Sequence, residues 1–236
     1  MKVLLTRPLD SSRALAEALE DEGIDPMIWP LTRIVPTVAT LKLPPNTGGL
    51  LFTSANGVRA LAALTKRRDL PALFVGKATA EAARNAGYRD CFAAGGDARA
   101  LADLAQRSGI RDFFHPRGRD TAGDLKTWLT ESGLRVTEAV VYRAEETGPP
   151  PAPVAAALAR GSVDLVTIWS HRAGAILARH LTGAGHRLDN TGLLAISPAT
   201  AEPLEAAGFH RIVIAEAPNV TAMLAAIQAY STGAGQ

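Results

Sequence analysis

One stretch of this chain is written twice. Residues 193–209 read LLAISPATAEPLEAAGF and residues 73–88 read LFVGKATAEAARNAGY. At a shift of 121 positions, Ala78-Thr79-Ala80-Glu81 falls on Ala199-Thr200-Ala201-Glu202, and Ala86-Gly87 on Ala207-Gly208. Each copy is a short apolar run, a turn, then an Ala-rich helical pattern closed by glycine, which predicts strand, loop and helix with Gly as C-cap. Thr79 and Thr200 fall at the turn, where a hydroxyl can cap the helix or face a ligand beside free backbone N–H groups. A repeated unit asks for a repeated site between two similar domains.

The repetition extends further. At a shift of 110, Phe113 to Gly118 lies over Val3 to Pro8, with Arg117 on Arg7, Asp120 on Asp10, Leu125 on Leu15, Leu129 on Leu19 and Gly133 on Gly23. At a shift of 116, Phe52-Thr53-Ser54-Ala55 falls on Ile168-Trp169-Ser170-His171. Strands alternating with helices, the strands being continuous apolar runs, predict an α/β fold of parallel sheets covered on both faces. Asp10 or Ser11 reads as the cap of the first helix. Pro26 to Pro45, with five prolines, reads as non-helical with a β-prone Arg33-Ile34-Val35, and the tail from Ser231 as disordered. The repeat leaves the domain boundary open. The halves could be 1–110 and 111–236, or the first unit could join the second half.

At 236 residues the chain suits two domains of about 100–120 residues each. The net charge of +2 argues against a nucleic-acid surface. The single cysteine, Cys91, excludes an internal disulfide framework and fits a reducing compartment. The apolar run Val3 to Leu5 is far too short for a signal peptide, and no segment reaches the length of a membrane span. The expectation is a soluble, cytoplasmic protein that does not engage membranes.

In open parallel sheets ligands bind beyond the carboxyl ends of the strands. Those ends carry Thr6-Arg7, Thr53-Ser54-Ala55-Asn56, Gly76-Lys77-Ala78-Thr79, Arg117-Gly118-Arg119, Ser170-His171-Arg172 and Ser197-Pro198-Ala199-Thr200. Hydroxyl residues at helix N-termini with arginines nearby suit anions, because the helix dipole and free N–H groups favour negative charge and Arg binds carboxylates bidentately. Taken singly, each Ser or Thr reads as an ordinary N-cap. Six such loops at one edge point to a polyanion site.

Other signatures are missing. There is no Gly-x-Gly-x-x-Gly after a strand, no Walker loop and no Gly-x-Ser-x-Gly. The five histidines show no metal-ligand spacing, so neither a metal nor a nucleotide cofactor is expected. His171 follows Ser170 directly, and chain neighbours rarely form a nucleophile–base pair, so His171 reads as surface polarity. Tyr142, in a β-prone connection, reads as half-buried packing on statistics alone.

The ordered set Leu4-Leu5-Thr6-Arg7-Pro8, Phe52-Thr53-Ser54-Ala55-Asn56, Val75-Gly76 with Thr79-Ala80, Arg117-Gly118, Val141-Tyr142-Arg143, Ser170, Ala195-Ile196 with Pro198-Ala199-Thr200-Ala201, and Ala217-Pro218 resembles uroporphyrinogen-III synthase across nearly the whole chain. The resemblance implies two similar flavodoxin-like domains, one from 1–34 plus 147–236 and the other from 40–138. It also implies a two-stranded β linker at 33–40 and 138–146, with the substrate in the cleft between the domains. It implies a monomeric, cofactor-free lyase in heme biosynthesis. Its substrate, hydroxymethylbilane, is a linear tetrapyrrole with eight carboxylates, which loses water and closes to uroporphyrinogen III with its last ring inverted. By resemblance Tyr142 assists departure of the hydroxyl. Arg7, Thr53, Ser54, Ala55, Asn56, Thr79, Arg117, Gly118, Ser170, His171, Pro198, Ala199 and Thr200 bind substrate.

The chain departs from that pattern at three places. Trp169-Ser170-His171 stands where the family usually has Thr-Ser-Pro, Lys77 replaces a common Pro, and Ser197 replaces a common Gly. A reading from another class, a non-catalytic two-domain polyanion binder or regulator, fits the same fold. A regulator would usually carry a DNA-binding segment, and none is legible.

Overall fold

A computed structural model describes residues 1–120, 123–182 and 185–233. The chain opens with β1 (Lys2–Leu5), α1 (Leu9–Glu20), β2 (Asp25–Ile28) and β3 (Thr32–Pro36). Next come β4 (Gly49–Phe52), α2 (Ala55–Leu64), β5 (Ala72–Phe74), α3 (Lys77–Asn85), β6 (Cys91–Ala93) and α4 (Ala98–Arg107). Then follow β7 (Asp112–Gly118), α5 (Leu125–Glu131), β8 (Arg135–Glu146), α6 (Ala152–Arg160), β9 (Leu165–Ile168) and α7 (His171–Leu181). The last part holds β10 (Gly192–Ala195), α8 (Pro198–Ala201), a 3-10 turn at Glu202–Leu204, β11 (Arg211–Ile214) and α9 (Val220–Ser231).

The strands form two sheets, one ordered β11-β10-β9-β1-β2 and the other β3-β8-β7-β4-β5-β6. The chain divides accordingly into unit 1, Met1–Arg33 with Glu145–Gln236, and unit 2, Ile34–Ala144. It leaves unit 1 within β3 and returns within β8, which are neighbouring strands of the second sheet.

The strand pairing shows how the repeat is used. Val3 pairs with Pro26 and with Leu165, and 110 or 116 positions away Phe113 pairs with Val136 and with Gly49. Leu193 pairs with Val166 and Ile212, and its counterpart Ala72 pairs with Leu50 and Cys91. Every pairing of the first sheet thus recurs in the second at the register of the sequence repeat. With β3 set aside, each copy written along the chain supplies five strands, yet strands one and two of each copy join strands three to five of the other. Both sheets have the spatial order 2-1-3-4-5 when numbered within a copy, an order known for doubly wound sheets. β3 extends the second at its edge.

Alternating strand residues feed two cores in each unit. In unit 1, Leu4, Val166 and Leu193 pack on one face of the sheet, and Val3, Leu5, Leu165 and Leu194 on the other. In unit 2, Leu50, Phe52, Phe74 and Phe114 pack on one face, and Leu51, Leu73 and Phe113 on the other. This two-sided burial is what a continuous apolar strand requires.

Local readings need three corrections. Neither Asp10 nor Ser11 caps α1: the helix starts at Leu9 behind Pro8, and Ser12 Oγ donates to Arg7 O at 2.8 Å. Proline at the entry supplies a fixed φ where the N–H would have no partner. The second copy of the repeated helix does not match the first in length. α8 ends after four residues in a 3-10 turn because Pro203 lacks an N–H and its ring excludes the carbonyl four residues back. The tail read as disordered begins inside α9, which runs through Ser231; residues 234–236 lie outside the described residues.

Candidate functional site

Unit 1 brings its candidate residues to the carboxyl ends of three adjacent strands. Thr6-Arg7 follows β1, Ser170-His171 follows β9, and Ser197 to Thr200 follows β10. Thr6 is buried and its hydroxyl donates to Thr167 O at 2.6 Å, tying β1 to β9. Arg7 lies over the Trp169 ring, 4.4 Å from its centroid, and the indole Nε1 donates to Thr167 Oγ1 at 3.2 Å. Trp169 therefore serves as a platform for Arg7.

Ser170 caps α7, accepting from Ala173 N at 3.2 Å. His171 is exposed, but its Nδ1 donates to Ala199 O at 2.7 Å. Ala199 is four residues before Pro203, so its carbonyl lacks the usual helical donor and the imidazole supplies one. Surface polarity alone does not describe His171. Thr200 is buried in the first turn of α8, with Ser197 Oγ 2.9 Å from its hydroxyl, while Pro198 and Ala199 are exposed on the same turn. The turn fits closely against α7: a Cβ on Gly174 would come within 2.7 Å of Thr200 O.

Unit 2 repeats the arrangement on β7, β4 and β5. Ser54 caps α2 by accepting from Asn56 N at 3.0 Å, Ala55 opens the helix, and Asn56 Oδ1 accepts from Arg59 at 2.6 Å. Thr79 is the buried third residue of α3, whose N-cap, Gly76, offers no side chain. Thr79 and Thr200 therefore cap nothing: the N-caps are Gly76 and Ser197, and Ser197 supplies no side-chain cap bond to α8. The capping reading holds for Ser54 and Ser170 alone among the substrate-binding candidates.

Thr53 follows β4 directly and is half-buried. Its Oγ1 lies 3.4 Å from His115 Nε2, and His115 Nδ1 lies 3.1 Å from Glu138 Oε1. Arg117 Nε donates to Glu138 Oε2 at 3.1 Å, and its Nη1 donates to Gly118 O at 3.0 Å. Thr53, His115, Arg117, Asp124 and Glu138 line a cavity of about 290 Å³. His115 is 3% exposed, and burial pulls its pKa below the ordinary value against the opposing pull of Glu138.

Tyr142, on β8, is paired with Gly118 on β7. Its ring occupies the space a side chain on Gly118 would need, and its carbonyl accepts from Arg119 N at 3.0 Å. The half-buried packing read from statistics is thus against a neighbouring backbone.

His115 and Glu138 were missed in the sequence. The signal was present: His115 interrupts an apolar run at the position that Leu5 fills in the other copy. Among the described residues, no group of three His, Cys, Asp or Glu could hold a metal ion. Among them too, no helix is long and apolar enough to cross a membrane.

The structure resembles uroporphyrinogen-III synthetase of Helicobacter pylori, with 20% identity, 86% of this chain and 92% of that one covered, and a TM-score of 0.60. It also resembles a mutant uroporphyrinogen III synthase of Thermus thermophilus, with 20% identity, 99% of both chains covered and a TM-score of 0.50. At this identity the likeness establishes the α/β fold. No curated protein sequence matches. The family model described as uroporphyrinogen-III synthase HemD matches residues 13–225, a span that carries Tyr142, the repeated stretches 73–88 and 193–209, and every candidate loop except Thr6-Arg7. The chain belongs to the uroporphyrinogen-III synthase family.

Proposed function

We propose that the chain converts hydroxymethylbilane to uroporphyrinogen III, with loss of water and inversion of the last ring. One observation carries the reading beyond family membership: the loops of two equivalent sheet edges repeat the same small, hydroxyl-bearing helix starts beside an arginine, Arg7 in unit 1 and Arg117 in unit 2. Two similar anion-holding edges suit a ligand that carries carboxylates along its whole length.

The chemistry asks little more. The bilane loses hydroxide readily, and unguided closure gives the uninverted isomer, so holding a folded conformer is the main task. Thr79 and Thr200, Arg7 and Arg117, and the first turns of α2, α3, α7 and α8 hold carboxylates. Tyr142 gives its phenol proton to the departing hydroxyl. Ring closure with water loss involves no redox change and no transferred group, so this reading calls for no cofactor. The chain acts as a monomer in the cytoplasm. A family match spanning residues 13–225 favours the synthase over the non-catalytic polyanion binder.

The test is isomer analysis after incubation with hydroxymethylbilane. Type III product is expected in excess. A mixture identical to that formed without protein would remove the reading.

A further inference from the structure

Equivalent positions in the two units are filled in opposite ways. In unit 1, Leu5 on β1 pairs with Ile28 on β2, and both belong to the same apolar cluster as Trp169, the residue after β9. In unit 2 the same register places His115 beside Glu138, and the residue after β4 is Thr53. The fold is therefore satisfied by Leu, Ile and Trp at these three positions. Burying an imidazole and a carboxylate costs desolvation, and apolar residues of similar volume are often as stable or more so. Three polar replacements around one cavity, in only one of two equivalent places, point to a ligand.

The geometry shows what the group presents. Glu138 accepts from both His115 Nδ1 and Arg117 Nε. With Nδ1 protonated, Nε2 of the neutral ring holds a lone pair, and the Thr53 hydroxyl turns its hydrogen toward it. Arg117 Nη2 makes no hydrogen bond among the described residues. Among the described residues, the charged groups that line the cavity with His115 are Arg117 on its own strand, Glu138 on β8 and Asp124, the N-cap of α5; Thr53, after β4, is uncharged. The Asp124 carboxylate is committed to capping α5 through Thr127 N and Thr127 Oγ1.

We propose that this cavity is a proton-coupled carboxylate subsite, in which Arg117 Nη2 and the Thr53 hydroxyl take one carboxylate arm and His115, held by Glu138, takes up a proton with it. A carboxylate on Arg117 offsets the positive charge that disfavours the imidazolium and adds a negative one in a partly dry cavity. His115 then binds a proton from solvent at Nε2, Nε2–H donates to Thr53 Oγ1, and the Thr53 hydrogen turns to the carboxylate. The proposal rests on the octacarboxylate reading above.

The experiment is calorimetric titration with uroporphyrin I, a stable octacarboxylate, in two buffers of different ionisation enthalpy, on the wild type and on H115L/E138I. That variant installs the apolar pair of unit 1, and its folding is read by circular dichroism. His115→Gln, which does not titrate, is titrated in parallel and carries the comparison where the double variant does not fold. The wild type is expected to take up more protons per ligand than either variant, by up to one. Its affinity should also rise by up to tenfold per pH unit toward acid between the free and bound titrations of His115, and the variants' should not. Binding with equal proton uptake in wild type and variant overturns the subsite alone. Failure of uroporphyrin I to bind the wild type overturns the octacarboxylate reading together with the subsite.

Discussion

A methyl group on Gly118 would lie 2.9 Å from the Tyr142 ring and 3.1 Å from its hydroxyl oxygen. The glycine is there for close approach. Its side-chain space belongs to the tyrosine on the neighbouring strand, and that contact fixes where the phenol sits.

Tyr142→Phe should therefore slow ring closure by about 10², the lower end of what a positioned proton donor contributes, because the hydroxyl also departs unaided. Gly118→Ala should slow it comparably by displacing the ring. Combined with Tyr142→Phe it should add little, since residues in contact are not additive. Single-turnover kinetics read this, and the product should remain type III in every variant. Unchanged turnover in Tyr142→Phe would show that the tyrosine only packs.

The contact between His171 and Ala199 exists because Pro203 cannot donate. His171→Ala should cost about 0.5–1.5 kcal/mol in urea unfolding, the worth of one hydrogen bond. In a Pro203→Ala background, where residue 203 regains an N–H, the loss should shrink. Equal losses in both backgrounds would mean that the imidazole contact is incidental.

Arg68 ties off two helices. It donates to Ala62 O, Thr65 O and Arg67 O at the end of α2 and beyond, and to Ala86 O at the end of α3, at 2.7–2.8 Å. Its guanidinium also lies 4.8 Å from the Tyr88 ring centroid. Arg68→Met should destabilise unit 2 by about 2–3 kcal/mol, as expected for charged donors left out of orphan carbonyls. Arg68→Lys should recover little, because an ammonium cannot span the same fork. Hydrogen exchange in α2 and α3 would report the loss directly, and unchanged protection there would refute it.

Burial lowers the pKa of both His115 and His186, so the unfolded chain binds protons at these sites at pH values where the folded chain does not. Stability should then fall as pH drops below about 6.5, the ordinary histidine value. That window lies above the one in which Asp97, Asp112 and Asp124, whose pKa values are lowered by their hydrogen bonds, lose their contribution below about 4. H115L/E138I should flatten part of the upper window and leave the His186 part. Melting midpoints at pH 7.5 and 5.5 test the sign: a wild type more stable at 5.5 would contradict it.

Three kinds of information were legible in the residues themselves. The apolar runs at Val3–Leu5, Leu50–Phe52 and Leu193–Ala195 specified buried parallel strands, because only strands covered on both faces are apolar without alternation. The repeat shifts showed that the same series of strand-helix units is written twice, without saying which strands pair. The starts of α2 and α7 were legible as well, from Ser54 and Ser170 placed just ahead of helical periodicity.

Tertiary structure decided what sequence periodicity cannot encode. The repeat left open which copies pair, and the resemblance supplied only an expectation; β1 lies beside β9 through hydrogen bonds that join residues about 160 positions apart. The short α8, the His171 contact and the His115–Glu138 pair likewise depend on neighbours distant in the chain. A histidine within an apolar strand reads as an exception until its cross-strand partner is known, because burial and hydrogen bonding are properties of a three-dimensional environment and not of a single position.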